Sequence, residues 1–413
     1  MAPVSGYLLS SLRQANHPLW VVLQQVGVRG LQAVKFLLAA RLLGPEQVGL
    51  VGIALICLAI AEGMSDTGLS QAVVQNRRSV NRWQAGAVWT LQVTRGAGIA
   101  VCLCLLASPI AWAFDAPASA SLVAMAGGVA LLRNSLNPGL YLAQRQRDFR
   151  KLSIYETTAA FVDIATTLLL IRAGLGAASM LLGSLAGEAS KSAMTWTWFR
   201  FGIQPSLRWR LISRFTSFGK WIWGSSIITL LLNQFDKILV AKLLGTTEFG
   251  LYQMASRVAQ LAVSDGSMAL GQYLYPNFAC RFRESASSAR AYLWQISKWI
   301  LPVLSAIVIT LMFLAPLLLE VLLGPQWIAA GSTLRILTIA SGAGATISLM
   351  VQFLRATGKP YIVTKAAAIQ LAIFAPLAFI LGNLYNATGV ALATTTGGVV
   401  TAMFLLYHIK WKK

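Results

Sequence analysis

Apolar residues run along this chain in stretches long enough to span a bilayer, parted by short polar breaks. About twelve such runs can be drawn, at 19–41, 48–72, 84–112, 120–143, 152–172, 175–199, 216–242, 247–273, 291–318, 332–354, 361–381 and 388–408. As helices of about 20 residues each they cross about 30 Å of hydrocarbon. The pattern predicts an all-α polytopic membrane protein. Composition agrees: 56% of residues are hydrophobic and 11% charged, with a mean hydropathy of +0.65, too little polar surface for a soluble protein of this size.

One stretch occurs twice. Ala40-Arg41-Leu42-Leu43-Gly44 followed by Gly49-Leu50 returns as Ala241-Lys242-Leu243-Leu244-Gly245 followed by Gly250-Leu251, an offset of 201 residues. A duplicated half in so apolar a chain points to a transporter of two related bundles, with its substrate site between them. Six spans per half is an even number. The halves therefore insert in the same orientation, related by a pseudo-two-fold axis along the membrane normal. The sequence thus predicts a bundle over 1–200, a cytoplasmic linker over 201–213 and a second bundle over 214–413, the linker marked by Gln204, Pro205, Arg208 and Arg210.

A net charge of +21 first suggests nucleic acid, but its distribution argues otherwise. Basic residues fall in every second loop: Arg77, Arg78 and Arg82; Arg145, Arg147, Arg150 and Lys151; Arg200, Arg208, Arg210 and Arg214; Arg281, Arg283 and Arg290; Arg355 and Lys359; and Lys410, Lys412 and Lys413 at the end. This positive-inside pattern places both termini and the basic loops in the cytoplasm, against anionic lipid headgroups, and no nucleic-acid partner is expected. Trp20, Trp83, Trp112, Trp209, Trp327 and Trp411 stand near span ends, where an interfacial aromatic belt is expected. The first seventeen residues lack the pattern of a cleaved signal, and span one is expected to be retained. Cys57, Cys102, Cys104 and Cys280 show no metal spacing, and neither disulfides nor cofactors are expected.

Ala40-Arg41-Leu42-Leu43-Gly44-Pro45-Glu46, Gly49-Leu50 and Asp66-Thr67-Gly68-Leu69 resemble the opening signature of bacterial oligosaccharide (Wzx-type) flippases. These belong to the superfamily of multidrug, oligosaccharidyl-lipid and polysaccharide exporters. Asp236-Lys237-Ile238-Leu239 is similar to the start of the family's second half, and Gly358-Lys359-Pro360 to its approach to span eleven. The resemblance covers nearly the whole chain. Twelve spans fit the oligosaccharide flippases better than the lipid II flippase, which carries two more. The repeat is imperfect, because Thr246 and Thr247 stand where the first copy has Pro45 and Glu46. The resemblance implies a bacterial inner-membrane carrier of polyprenyl-diphosphate-linked oligosaccharide, partnered by membrane lipids and by a polysaccharide polymerase and chain-length regulator.

Charges within spans cost several kcal/mol unless they face a cavity or a partner. In span one, Gln25, Arg29, Gln32 and Lys35 share a stripe roughly 120° wide at about 100° per residue, with Arg29 roughly 16 Å deep. Span eight carries a similar stripe of Gln253, Arg257, Gln260, Ser264 and Ser267. Facing each other, the two stripes would line a cationic, hydrogen-bonding cavity, with Arg for phosphate and Gln for sugar hydroxyls. The other reading is that Arg29 and Arg257 pair internally to hold the bundle together. Glu62 and Asp66 share a helix face and are candidates for ion coupling, as a close carboxylate pair; Asp66 in a purely bracing role near Arg77 and Arg78 is the competing reading. Asp163, Glu188, Asp236 and Asp265 are the other candidate intramembrane acids. Lys35 and Asp236 are separated by the repeat offset, which predicts an outer gate in which they pair; the alternative pairs Asp236 within its own half, with Lys237.

Other classes fit less well. A polysaccharide polymerase or transferase would need a large extracytoplasmic loop, and the only histidines, His17 and His408, lie near the chain ends, away from any intramembrane base role. The G-x-x-x-x-G-K-[ST] motif of an ATP-driven pump does not occur. A multidrug extruder of the same fold would favour an acidic cavity for its cationic substrates.

Overall fold

The computed structural model describes residues 18–65, 81–146, 148–205 and 219–411, and no strand occurs among them. Twelve α-helices make up the described residues: α1 (Pro18–Leu43), α2 (Pro45–Ser65), α3 (Arg82–Ala113), α4 (Ser119–Asn134), α5 (Gly139–Gln146), α6 (Phe149–Arg172), α7 (Ala178–Trp198), α8 (Gly219–Ala259), α9 (Asp265–Glu284), α10 (Ala286–Leu323), α11 (Gly331–Ala356) and α12 (Pro360–Trp411). A π-helical turn, Gln260–Ser264, joins α8 to α9, and a 3-10 turn, Pro325–Ala330, precedes α11. Proline opens α1, α2 and α12, a position where its missing N–H has no helical partner to lose. Asn81 and Gln84 form a reciprocal capping box on α3, and Ser285 caps α10, satisfying N–H groups the helices leave unpaired.

The long helices break where the apolar runs part. α8 changes direction at Gly245 (φ 80°), and the equivalent Gly44 ends α1 with φ 83°. Both copies of the repeated stretch thus turn on a left-handed glycine, a conformation other residues rarely adopt. α12 breaks at Tyr385 and Asn386. Span four is shorter than its apolar run: α4 ends at Asn134, and Pro138, which has no N–H to give, precedes the separate α5. There Asn137 turns its side chain to accept from Gly139 N–H at 2.8 Å. Six of the helical stretches are long and apolar enough to cross a membrane; α1, interrupted by Arg29, Lys35 and Arg41, is not among them.

The chain forms two compact units. One takes the described parts of Met1–Leu43 and Ile53–Ile227, the other Gly44–Gly52 and Ile228–Lys413. In the first, α1 packs on α6, α6 on α7, α7 on α4 and α4 on α3. α6 and α7 approach closely over Gly183 and Gly187: a Cβ at Gly183 would collide with the Thr167 hydroxyl, and one at Gly187 would lie 2.9 Å from Asp163 Cβ. Small residues four apart let spanning helices touch backbone to backbone. The expected linker begins inside this unit, because Gln204 N–H donates to Arg82 O at 3.3 Å; its remainder, 206–213, lies outside the described residues.

In the second unit α9, α10, α11 and α12 close on a core of Leu274, Phe278, Leu293, Phe353 and Leu405. The unit also takes the start of α2, and the packing there is reciprocal. A Cβ at Gly49 would strike the Thr246 carbonyl, and one at Gly250 would strike the Pro45 carbonyl. Thr246 and Gly250 are the 201-residue equivalents of Pro45 and Gly49. Trp112 and Trp83 are exposed as a belt requires, but Trp327 is not: it is fully buried in the 3-10 turn. Its bulk fills the second unit's interior, which overrides the pull of an interface on an indole. Trp209 lies outside the described residues.

Candidate functional site

The polar side chains of the first unit form two groups. Lys35, on α1, is buried at 5% exposure. Its ammonium donates to Asp163 Oδ1 on α6 at 2.6 Å, and to Ser184 Oγ and Met180 O on α7 at 2.9 and 3.2 Å. An ammonium has three donors, and all three are used. Gly183 and Gly187 flank Ser184 on the face of α7 that meets α6, so the glycine contact brings Asp163 and Ser184 within reach of one ammonium.

The second group is a chain of ion pairs across four helices. Glu62 on α2 accepts both its hydrogen bonds from Arg133 Nη1, at 3.0 and 2.9 Å. Arg133, in the last turn of α4, turns its Nε to Glu188 Oε1 on α7 at 3.2 Å. Lys191, one turn on, lies 3.6 Å from Glu188 and 3.3 Å from Glu156 on α6. Arg95 on α3 donates to the Glu62 carbonyl at 2.7 Å and to Ser65 Oγ at 2.9 Å, holding the end of α2. Five charges in sequence alternate in sign, and of them only Glu188 is buried. Glu188 Oε2 is buried without a hydrogen-bond partner.

Arg29 is half-buried and Gln32 exposed on α1, and a Cβ added at Gly30 between them would meet nothing within 4 Å. This face of α1 is open while Lys35, farther along the same stripe, is packed. In the second unit Gln253 is wedged against the start of α2, since a Cβ at Gly52 would strike its amide and Phe249. Arg257 is half-buried, and Gln260 opens the π-helical turn and lines a cavity with Asp236. The side chains of Gln25, Ser264 and Ser267 lie outside the described residues. Asp66 does too, so its pairing with Glu62 has no structural description; the partner Glu62 shows is Arg133.

In this structure Lys35 and Asp236 each have a partner within their own unit. Lys35 is held by Asp163, and Asp236 accepts from Tyr252 Oη at 2.9 Å. The alternative partner of Asp236, Lys237, turns its ammonium instead to the Asn233 carbonyl at 3.1 Å. Sequence reading missed Arg133, Lys191, Glu156 and Arg95. Arg133 and Arg95 are lone charges inside apolar runs, while Lys191 and Glu156 share theirs with Glu188 and Asp163; a charge inside an apolar run is the signal that would have found them.

A family model described as "Polysaccharide biosynthesis protein" matches residues 38–331, well over half of the chain. The chain belongs to this polysaccharide biosynthesis family. The lipopolysaccharide biosynthesis protein WzxC of Escherichia coli is 22% identical over 90% of this chain and 76% of its own length. The succinoglycan biosynthesis transport protein ExoT of Rhizobium meliloti is 26% identical over 82% of this chain and 68% of its own length. Among solved structures, the inward-closed lipid II flippase MurJ aligns with a TM-score of 0.73 over 95% of this chain and 87% of its own, at 13% identity. An inward-facing multidrug resistance MATE transporter of the MOP superfamily gives 0.71 over 93% and 94%, at 14% identity. The family member described here is thus a multi-pass membrane protein with the all-helical fold of these transporters.

Proposed function

We propose that the chain is a flippase that carries a polyprenyl-diphosphate-linked oligosaccharide across the bacterial inner membrane by alternating access. Both termini and the basic loops lie in the cytoplasm, the headgroup crosses through the protein and the lipid tail stays in the bilayer. The observation that carries this reading is the family match over 38–331 in a chain with a transporter's fold: polysaccharide synthesis offers a carrier one step, the movement of a lipid-linked glycan. The reciprocal packing of Gly49 and Gly250 supports a pseudo-two-fold relation between two six-helix bundles, because a symmetry axis makes each contact recur with its partners exchanged. The open face of α1 around Arg29 and Gln32 supports a phosphate-binding role there, joined by Arg257. Glu62 and Asp66 take the coupling role, and a polymerase and chain-length regulator receive the product.

The test is complementation of a deletion strain. The wild-type chain should restore surface polysaccharide and clear lipid-linked oligosaccharide from the inner leaflet. Arg29→Ala and Arg257→Ala should each cut export at least about tenfold while the protein accumulates normally. Lys replacements should recover only part, because a point charge lacks the paired donors that match a phosphate. Undiminished export in both Ala strains would remove the cationic site.

Topology is tested in a background with the four native cysteines replaced. Cysteines at Arg78 and Lys412 should be shielded from an impermeant thiol reagent in intact cells, and cysteines at Gly44 and Asn386 should label. Outside labelling of Arg208→Cys would overturn the six-plus-six map.

A further inference from the structure

Inside the second unit lies a cavity of about 230 Å³, bounded by α8, the π-helical turn, α11 and α12. Asp236 lines it at 9% exposure. One carboxylate oxygen is taken by Tyr252, and the other, Oδ1, is buried with no hydrogen-bond partner. A buried carboxylate oxygen without donors is costly to maintain, so the site is built to receive donors from something it holds. Apart from Lys237, the rest of the polar wall is neutral, with Asn233, Gln260, Ser341, Gln370 and Thr394 among its side chains. Phe374 supplies an apolar wall, fixed edge-to-face against Phe235 at 5.7 Å and 79°.

We propose that this cavity holds one neutral sugar ring of the lipid-linked oligosaccharide, a reading that rests on the proposed flippase function. A sugar presents hydroxyl donors that a carboxylate accepts in charge-assisted bonds. Side-chain amides answer the same hydroxyls as both donor and acceptor, and an aromatic ring covers the C–H face. A space of about 230 Å³ has room for a pyranose ring with its hydroxyls. A bare metal cation fits this space less well. It needs oxygens closing on it from all sides at about 2.3–2.6 Å, whereas this space is wide and has Lys237 among its lining residues. Gln260 reaches the cavity where the π-helical turn interrupts span eight, a feature often found at functional sites.

Gly344 gives the cleanest test, because it lines the cavity and a Cβ added there meets nothing within 4 Å. Gly344→Leu should therefore fill the space without disturbing the packing, and Gly344→Ala should leave most of it. The full-length protein in lipid nanodiscs would be titrated with D-glucose, D-galactose, D-mannose and N-acetylglucosamine, read by saturation-transfer NMR. At least one should bind. Its affinity should fall at least about tenfold in Asp236→Asn and Gly344→Leu, and stay unchanged in Gly344→Ala. In cells, Gly344→Leu should lose export with normal accumulation and melting temperature. Wild-type export by Gly344→Leu, or sugar binding indifferent to both cavity substitutions, overturns the proposal. So does a sodium-dependent thermal shift that Asp236→Asn abolishes, without any monosaccharide signal, because that is a cation site. Failure of the wild-type chain to restore export would instead sink the flippase reading, with the sugar titration still judging the cavity on its own.

Discussion

Lys35→Ala is expected to destabilise the first unit more than any other single change to its polar groups. The ammonium and the Asp163 carboxylate are 6% and 20% exposed, and removing Lys35 leaves Asp163, among the described residues, with the Thr167 hydroxyl at 3.4 Å. Breaking a buried pair from one side costs on the order of 3–5 kcal/mol, because the remaining charge stays buried. That shifts the folding equilibrium by roughly two to nearly four powers of ten. Detergent-extracted protein followed by thermal melting on a sizing column should show early loss of the monodisperse peak. Lys35→Met combined with Asp163→Leu should recover most of the stability, since replacing both partners by apolar groups of similar size is nearly neutral. A double variant no better than Lys35→Ala would show that the pair is not the cause. Lys35→Asp combined with Asp236→Lys should give no rescue, because each residue is already bound within its own half.

Arg133→Ala should have the second large effect, and it should appear more in export than in melting. The Arg133 side chain is 43% exposed, and that degree of exposure weakens an ion pair's stabilising effect. Its loss nevertheless leaves two carboxylates, Glu62 and Glu188, turned toward each other from α2 and α7 with the cation between them gone. Like charges in one polar site repel, so the end of α2 should move away from α4. Export should fall at least about tenfold. Arg133→Lys should retain part of it, since an ammonium can reach one carboxylate but lacks the fork that joins both. Restoring neutrality with Glu62→Gln and Glu188→Gln beside Arg133→Met should return the melting temperature toward wild type. If Arg133→Ala exports at the wild-type level, the bridge has no part in transport.

The helices were legible because the apolar runs are long and their ends are punctuated: Gly44 and Gly245 turn where the repeated stretch placed them. Partners were not, and the reason is angular. A stripe roughly 120° wide at about 100° per residue joined Arg29, Gln32 and Lys35, yet a face that broad holds both an open edge and a packed one, and only packing tells Gln32 from Lys35. The offset of 201 residues had the same limit. It identifies equivalent positions without saying which of them meet. Gly49 and Gly250 do, because two backbones without side chains can touch. Lys35 and Asp236 are held by Asp163 and Tyr252, each within its own unit. Arg133 escaped notice because its apolar run continues through a helix end that only Pro138 and the Asn137 turn reveal.

The reciprocal glycine contact also sets a schedule for biosynthesis. Residues Gly44–Gly52 belong to the second compact unit, so the opening turns of α2 are made long before their neighbours exist. Gly250 leaves the ribosome 201 residues after Gly49, roughly 10–40 s later at about 5–20 residues per second. For that interval α2 is anchored only at its far end, and its glycine face is a transient opening that the translocation machinery or a chaperone must shield. A gene cut between the halves would keep every helix of the second one and still leave it without Pro45 and Gly49, the residues against which Thr246 and Gly250 pack.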